Sequence, residues 1–171
     1  MGARPSLLLI AALALGQARC GYRFAAGGGS LPENVTRLRA PVFANHTAEP
    51  GLEVIFTRAL RRELIQSGVQ SDPASDAELR GEILSVWGGP TILTTARDGG
   101  EPKLASYRIF ASAKLTLVRA GRVLGEANVS GSEDYLPGFE DILRSDANRQ
   151  AALQRLADRL VREGYDQMRA R

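Results

Sequence analysis

The chain of 171 residues is long enough for one domain with a single hydrophobic core, and its 44% hydrophobic and 24% charged residues are typical of a globular protein. Two of the 22 basic residues, Arg4 and Arg19, precede Cys20, so the remainder carries 20 basic and 19 acidic residues, a net charge of +1. A surface so nearly neutral lacks the basic field that binding to nucleic acid requires, and a single cysteine excludes both an intramolecular disulfide and a cysteine-rich metal site.

Residues 1–19 are predicted to be an export signal. A basic start is followed by an apolar run over residues 7–15, which is shorter than the roughly 20 residues that span a bilayer. Cys20 follows directly and suggests a bacterial lipoprotein acylated on this residue. Arg19 stands where a lipoprotein signal peptidase prefers a small residue, so cleavage after Ala18, leaving Cys20 as a free thiol, is the alternative.

Residues 20–34 are rich in glycine and are predicted to be a flexible leader between the anchor and the folded domain. Three consecutive glycines can cradle a phosphate when they join a strand to a helix and a lysine follows. Here no lysine follows and a strand comes next, so a linker is the better interpretation.

Residues 38–68 predict a strand, a polar loop and an amphipathic helix. Leu38 and Val42 are expected on the same buried face of the strand. Pro50 is expected in the first helical turn, where its missing N–H has no partner, and Gly68 is expected to end the helix as a left-handed cap. The apolar stripe of this helix comprises Leu52, Ile55, Phe56, Ala59, Leu60 and Leu64.

The second strand is predicted over residues 78–87. Its alternation places Ile83, Ser85 and Trp87 on one face. The Gly-Gly-Pro sequence at residues 88–90 is expected to stop or kink this strand.

A loose hairpin is predicted over residues 91–105, followed by the clearest strand at residues 106–119 and a fourth strand at residues 122–130. Ala111 and Ala113 lie in the middle of the apolar face of the third strand and would let a helix approach the sheet closely. The other face of that strand carries Arg108, Phe110, Ser112, Lys114, Thr116 and Val118.

The last element is predicted to be an amphipathic helix over residues 148–168, reached through a connection at residues 134–146. Gly164 costs about 1 kcal/mol relative to alanine inside a helix, so the pattern leaves open whether the helix includes its final turn. The apolar stripe comprises Leu153, Leu156, Ala157, Leu160, Val161, Tyr165 and Met168.

The element order β-α-β-β-β-α predicts an α+β fold: a two-layer sandwich in which two helices pack on one face of a four-stranded, mostly antiparallel sheet. A single domain over residues 35–171 accounts for this pattern. The other sheet face stays uncovered, and an apolar side chain such as Phe110 among polar ones suits a surface that a partner covers.

Groups able to carry catalysis or bind a metal are sparse. His46 and Cys20 are the only residues of their types, and no Gly-rich nucleophile turn accompanies them, so His46 is expected to be a turn residue. The acidic pairs at residues 133–134 and 140–141 lack the ligand spacing of an EF-hand and are expected to be solvated loop charge. The sequence predicts no enzyme activity, no metal site and no cofactor.

Two stretches carry a family resemblance. Cys20-Gly21-Tyr22 follows the export signal, and residues 41–53 contain the run Pro-Val-Phe-x-Asn-x-Thr-x-x-Pro-Gly-Leu-Glu. With the predicted element order, these stretches resemble the LptE family of outer-membrane lipopolysaccharide-assembly lipoproteins over essentially the whole exported chain. Similar strand–loop–helix units also occur in TolB-like and CsgG-like envelope proteins.

The resemblance implies a non-catalytic lipoprotein on the periplasmic side of the outer membrane, anchored through acylated Cys20. Such a protein plugs and helps assemble the LptD β-barrel and takes part in lipopolysaccharide transport to the cell surface, so the implied partners are LptD and lipopolysaccharide. Arg97 and Lys103, near the tip of the predicted hairpin, are candidate contacts to anionic groups of lipopolysaccharide, with a solvated loop as the alternative.

Two alternatives remain open at this stage. If Arg19 prevents lipidation, the protein would be soluble in the periplasm. The alternative function is that of an envelope lipoprotein of TolB- or CsgG-like fold that acts as a protein-interaction module.

Overall fold

The computed structural model describes residues 29–94, 103–137 and 142–170. Two helices and three long strands make up most of this part of the chain. In chain order the elements are a 3-10 turn (Pro32–Asn34), β1 (Arg37–Leu38), β2 (Ala44–Asn45), α1 (Leu52–Gln66), β3 (Gln70–Ser71), β4 (Ala77–Thr94), β5 (Lys103–Arg119), β6 (Arg122–Tyr135) and α2 (Ile142–Arg169).

The main sheet has four strands in the order β2-β4-β5-β6. Its three long strands pair antiparallel, and the short β2 lies at the edge, parallel to β4. β1 and β3 form a separate parallel pair. Both helices pack against one another and cover one face of the main sheet, where the hydrophobic core lies. The predicted α+β sandwich and its element order are therefore confirmed.

The predicted first strand is divided between the two sheets. β1 and β2 are separated by a crossing segment that contains Pro41, which has no N–H to donate to a ladder. Val42, expected in the core, is 59% exposed, whereas Phe43 is only 2% exposed. The ring of Phe43 lies on Gly81, where an added methyl group would stand 2.2 Å from the ring. The predicted burial of Val42 is therefore wrong, because Phe43 fills the space that Gly81 leaves open.

Both ends of α1 are determined by glycine. Gly51 is the N-cap with a φ of 91°, so Pro50 lies before the helix and not in its first turn as predicted. At the other end Gly68 has a φ of 71°, and the Val69 N–H donates to the Leu64 carbonyl at 3.0 Å. This geometry confirms the predicted left-handed cap. The predicted apolar stripe faces the core.

α2 is longer than predicted and continues through Gly164. Gly164 is buried, and a methyl group there would lie 2.7 Å from Leu115 Cδ1. A similar close approach occurs at Gly131 of β6, whose added methyl would lie 3.2 Å from Leu160. The final turn, which the sequence pattern left open, is helical to Arg169, and Gly164 lets the helix lie close to the sheet. The predicted apolar stripe is buried.

Two strands also extend beyond their predicted limits. β4 continues through the Gly-Gly-Pro sequence to Thr94, with a register irregularity between Pro90 and Ile92, so residues 88–90 do not stop it. β6 continues to Tyr135, five residues beyond the predicted end. The added length comes from pairing with β5, and the sequence pattern within one segment does not predict such pairing.

The last residues of the predicted leader pack on the domain. Leu31 and Val35 belong to the hydrophobic core. Between them, Glu33 forms an ion pair with Arg122 at the start of β6. Pro32 lies beside Gly125 of the same strand.

Candidate functional site

The candidate functional site lies on the face of the main sheet opposite the helices, which we call the open face. Residues directly opposite in an antiparallel pair share a face, and this register places Trp87, Phe110 and Ser132 in one row across β4, β5 and β6. The side chain of Trp87 is 60% exposed. Its ring stacks on Phe110 with centroids 4.0 Å apart and an interplanar angle of 11°. A large aromatic pair therefore stands on the face opposite both helices of the described chain.

A β-bulge at Leu84 determines the direction of Trp87. The register shifts by one residue between Ile83 and Ser85, so β4 contains one residue more than β5 at this point. The extra residue reverses the alternation, and Val86 then packs against the core while Ser85 and Trp87 are exposed. The prediction that Ser85 and Trp87 share a face with Ile83 is therefore wrong. Phe110, by contrast, lies on the open face as predicted.

Serine hydroxyl groups surround the aromatic pair. The Ser85 and Ser112 Oγ atoms are 2.6 Å apart, and Ser130 continues the same row on β6. A shallow cavity of about 290 Å³ lies among these residues. Its hydroxyls offer uncharged hydrogen-bond donors and acceptors next to exposed aromatic surface. We call this set the aromatic–serine patch: Ser85, Trp87, Phe110, Ser112, Ser130 and Ser132.

The other half of the open face carries paired charges. Lys114 Nζ lies 2.8 Å from Glu126 Oε1, and this hydrogen bond raises the pKa of Lys114. His46, which follows β2 directly, has its Nε2 atom 3.3 Å from Glu82 Oε2, and its backbone N–H donates to the Ile83 carbonyl at 3.0 Å. These pairs make this half of the face hydrophilic without a strong net field.

The adjacent acids Glu133 and Asp134 point to opposite faces of β6. Asp134 accepts two hydrogen bonds from Arg108 at 2.6 and 2.8 Å, which lower its pKa. Glu133 lies under α2 and accepts from Arg155 at 2.7 Å and Arg159 at 2.9 Å. Burial alone would raise the pKa of Glu133, but the two arginines outweigh it and lower the pKa. The expectation of solvated loop charge is wrong for this pair, because both acids lie on a strand and are ion-paired; residues 140–141 lie outside the described residues.

The run that carried the family resemblance forms a loop closed by its own hydrogen bonds. Asn45 Oδ1 accepts from the Thr47 N–H at 3.0 Å and from its hydroxyl at 2.8 Å. Asn45 Nδ2 donates to the Glu49 carbonyl at 2.7 Å and to Glu53 at 2.9 Å. Hydrogen bonds from its own backbone N–H, from Asn45 and from Gly51 lower the pKa of Glu53. These polar groups serve the loop itself, so the motif is structural.

Of the predicted acylation site and the two candidate lipopolysaccharide contacts, only Lys103 lies within the described residues. Cys20 and Arg97 lie outside the described residues. Lys103 is the first residue of β5 and pairs with Thr94 of β4. Because the last residue of β6, Tyr135, pairs with Tyr107, the ends of β4 and β5 continue past β6 as a two-stranded ribbon.

This ribbon and the N-terminal end of the described chain lie at opposite ends of the domain. α2 runs antiparallel to β6, with Met168 beside Gly125 and Asn148 donating to the Leu136 carbonyl. Arg169, at the end of α2, donates to the carbonyl of Gly29. The helix has 28 residues, which corresponds to about 42 Å at 1.5 Å per residue. The start of the described chain is therefore separated from the ribbon by about the length of α2.

Among residues 29–94, 103–137 and 142–170, no three His, Cys, Asp or Glu side chains are grouped so as to hold a metal ion. Neither helix in this part of the chain has the length and hydrophobicity needed to cross a membrane.

Solved structures of several bacterial proteins share the fold. Rare lipoprotein B from Shewanella oneidensis has a TM-score of 0.50 and 16% identity, covering 78% of this chain and 94% of that one. A minor lipoprotein from Acinetobacter baumannii has a TM-score of 0.50 and 12% identity, covering 80% and 91%. The PelC dodecamer from Paraburkholderia phytofirmans has a TM-score of 0.50 and 14% identity, covering 84% and 95%. At these identities the likeness establishes the fold alone.

The sequence itself establishes the family. No curated protein matches the chain. The family model for LptE, described as lipopolysaccharide-assembly, matches residues 35–168. This match includes every strand of the main sheet and both helices almost to the end of α2. The chain therefore belongs to the LptE family of lipopolysaccharide-assembly proteins, as the motif at residues 41–53 predicted.

Proposed function

We propose that this protein is the lipoprotein subunit of an outer-membrane lipopolysaccharide translocon. In this role it plugs the lumen of an LptD-type β-barrel, assists assembly of that barrel and takes part in the transport of lipopolysaccharide to the cell surface. Acylation of Cys20 tethers it to the periplasmic side of the outer membrane. Transport and assembly make and break no covalent bond in the protein, so the role requires no catalytic residue and no cofactor.

The open face is the observation that carries this proposal. A protein that fills a barrel must present polar groups to a polar inner wall. The open face has this character, because its hydroxyls and paired charges surround one exposed aromatic residue, Trp87. Tryptophan is among the residue types enriched at energetically dominant interface positions. Trp87 is therefore the expected centre of the contact.

The ribbon formed by β4 and β5 is proposed to meet lipopolysaccharide. Arg97 and Lys103 would supply the charge: arginine pairs with phosphate or carboxylate in a bidentate manner, and lysine acts as a point charge. The position of the ribbon supports this contact. It lies at the opposite end of the domain from Gly29, where the anchored leader connects.

Affinity purification tests the barrel partnership. Tagged protein extracted from the source membranes in mild detergent should recover a large β-barrel protein. Trp87→Ala should reduce the recovered barrel at least about ten-fold, equivalent to about 1.4 kcal/mol of binding free energy. Arg58→Ala, an exposed change on the outer side of α1, is the matched control and should leave recovery unchanged. Recovery of other envelope proteins with no barrel would favour the protein-interaction module instead.

Two further measurements address the anchor and the lipid contact. Incorporation of labelled palmitate should occur in the wild type and be lost in Cys20→Ala; absence of label in both would mean that Arg19 prevents acylation and that the protein is soluble in the periplasm. Arg97→Ala combined with Lys103→Ala should reduce lipopolysaccharide that copurifies with the protein, while barrel recovery stays unchanged. Equal lipopolysaccharide in the double variant would contradict the proposed contact.

A further inference from the structure

The main sheet has one edge with little protection. β2 covers β4 only at Glu82 and Ile83, and the last hydrogen bond is from the His46 N–H to the Ile83 carbonyl. From Leu84 to Thr94, β4 pairs with β5 on one side, and among residues 29–94, 103–137 and 142–170 no strand pairs with its other side. Alternate backbone N–H and C=O groups therefore point out of the sheet along this stretch.

The opposite edge of the sheet, β6, is protected. The Arg159 guanidinium donates to the carbonyl of Ser132 and so occupies an outward backbone acceptor. At the start of the strand Pro32 lies beside Gly125, and the Arg122 side chain pairs with Glu33. Charged side chains and covering segments are devices by which natural sheets prevent edge pairing. The two edges of the sheet therefore differ in their protection against pairing with another strand.

The sequence along the unprotected edge lacks the charged side chains that would prevent edge pairing. Residues 84–91 contain no charged residue, and Leu84 and Trp87 are 45% and 60% exposed. The bulge at Leu84 limits the stretch at one end. Pro90, which has no N–H, limits it at the other. Residues 85–89 are therefore available to pair, a length of about 17 Å at 3.3 Å per residue.

We propose that the edge of β4 at residues 85–89 receives an extended segment of the partner barrel protein as an added strand. A row of backbone donors and acceptors at strand spacing is complementary to another strand and to no other common structure. This inference rests on the proposed function, since it specifies how the same partner binds. Because the edge carries no charge, the incoming segment is expected to be neutral there, with Trp87 packing against it.

A second copy of this chain fits the edge less well. Two copies paired through the same edge would share about five residues between a bulge and a proline. Stable protein interfaces bury about 1,200 Å² or more in total, which such a short pairing alone does not supply. A barrel that also contacts the aromatic–serine patch adds that area around the new strand.

Amide hydrogen exchange measured by mass spectrometry tests the pairing on the full chain, alone and in the detergent-purified barrel complex. In the complex, about half of the amides at residues 85–89 should exchange at least about ten-fold more slowly, because alternate N–H groups face the added strand. Peptides covering residues 58–66 of α1, on the opposite side of the sheet from the open face, are the internal control and should be unchanged. A photoreactive amino acid replacing Leu84, which is 45% exposed and leaves Trp87 in place, should crosslink to one segment of the barrel.

The outcomes separate the two proposals. If the barrel is recovered but exchange at residues 85–89 is unchanged, strand addition is wrong while the proposed function stands. If no barrel is recovered, the proposed function fails first. Slowed exchange with a crosslink to a second copy, or to residues 20–28 of the same chain, overturns the assignment of the barrel as the occupant.

Discussion

The two faces of the main sheet are formed by the same strands but carry different kinds of side chain. On the covered face, β5 presents Ala113 and Leu115, both almost fully buried, and Gly131 and Gly164 allow α2 to lie close to the strands. On the open face the strands present hydroxyls, ion pairs and a stacked Trp87. The covered face thus carries the packing that stabilises the fold, and the open face can vary with the partner at little cost to folding. The four predictions below test that separation, from the largest expected effect to the smallest.

Leu115→Ala should lower the free energy of unfolding by about 2–5 kcal/mol, because it removes a fully buried side chain under α2 and leaves a cavity. Ser130→Ala, on the open face of the neighbouring strand, is the matched control and should change stability by less than about 0.5 kcal/mol. Urea denaturation of the two variants measures the difference. Similar losses in both would show that the two faces contribute alike.

Gly81→Ala should lower the free energy of unfolding by about 1–3 kcal/mol through overpacking. The added methyl group has no space, since it would lie 2.2 Å from the ring of Phe43. Gly89→Ala on the same strand is the control, because no atom lies within 4 Å of the added methyl. Thermal unfolding of both variants checks the comparison, and a neutral Gly81→Ala would mean that Phe43 moves freely.

Glu133→Gln should lower the free energy of unfolding at pH 7 by about 1–2 kcal/mol, because charge-assisted hydrogen bonds to Arg155 and Arg159 are lost. The folded pKa of Glu133 lies below its unfolded value of about 4.3. Its stabilisation is therefore complete above about pH 5 and is lost as the pH falls through the folded pKa.

The pH dependence of that variant provides its check. Urea denaturation between pH 7 and pH 3 should show the wild type and Glu133→Gln converging on the acid side. Asp134→Asn, on the open face, should show a smaller loss at pH 7 because its ion pair with Arg108 is half exposed to solvent. Divergence of the curves at low pH would contradict the assigned direction of the shift.

Trp87→Ala should have the smallest effect on folding, about 0.5–1 kcal/mol, from loss of the stack on Phe110. Its main effect is expected on barrel recovery. Differential scanning calorimetry of the purified variant, run alongside the affinity purification, separates the two. A large drop in Tm would place Trp87 in the folding core and remove it as a partner contact.

Local patterns predicted much of this fold. The apolar stripes of α1 and α2, the left-handed cap at Gly68 and the alternation of β5 follow from helix and strand periodicity within one segment. The errors arose where a second segment decides the outcome. Phe43 is buried because Gly81 leaves space, and the extra residue at Leu84 is visible only in the pairing of β4 with β5.

The candidate site was harder to predict for the same reason. Phe110 was placed correctly on the open face from the alternation of its own strand. Trp87 was placed on the wrong face, because a single extra residue at Leu84 reverses the alternation. That bulge depends on the register with β5, and a leucine at position 84 does not by itself indicate a bulge.

The hydrogen-bonded loop at Asn45 has a consequence for how relatives of this protein are identified. The polar groups of Asn45, Thr47, Glu49 and Glu53 form hydrogen bonds with one another. The motif therefore describes how a strand is connected to a helix and does not identify a ligand. Chains that share this loop are expected to share the strand–loop–helix architecture, whatever each of them binds. If the proposed contact is correct, relatives with different partners are expected to differ at positions 85, 87 and 110, on the open face.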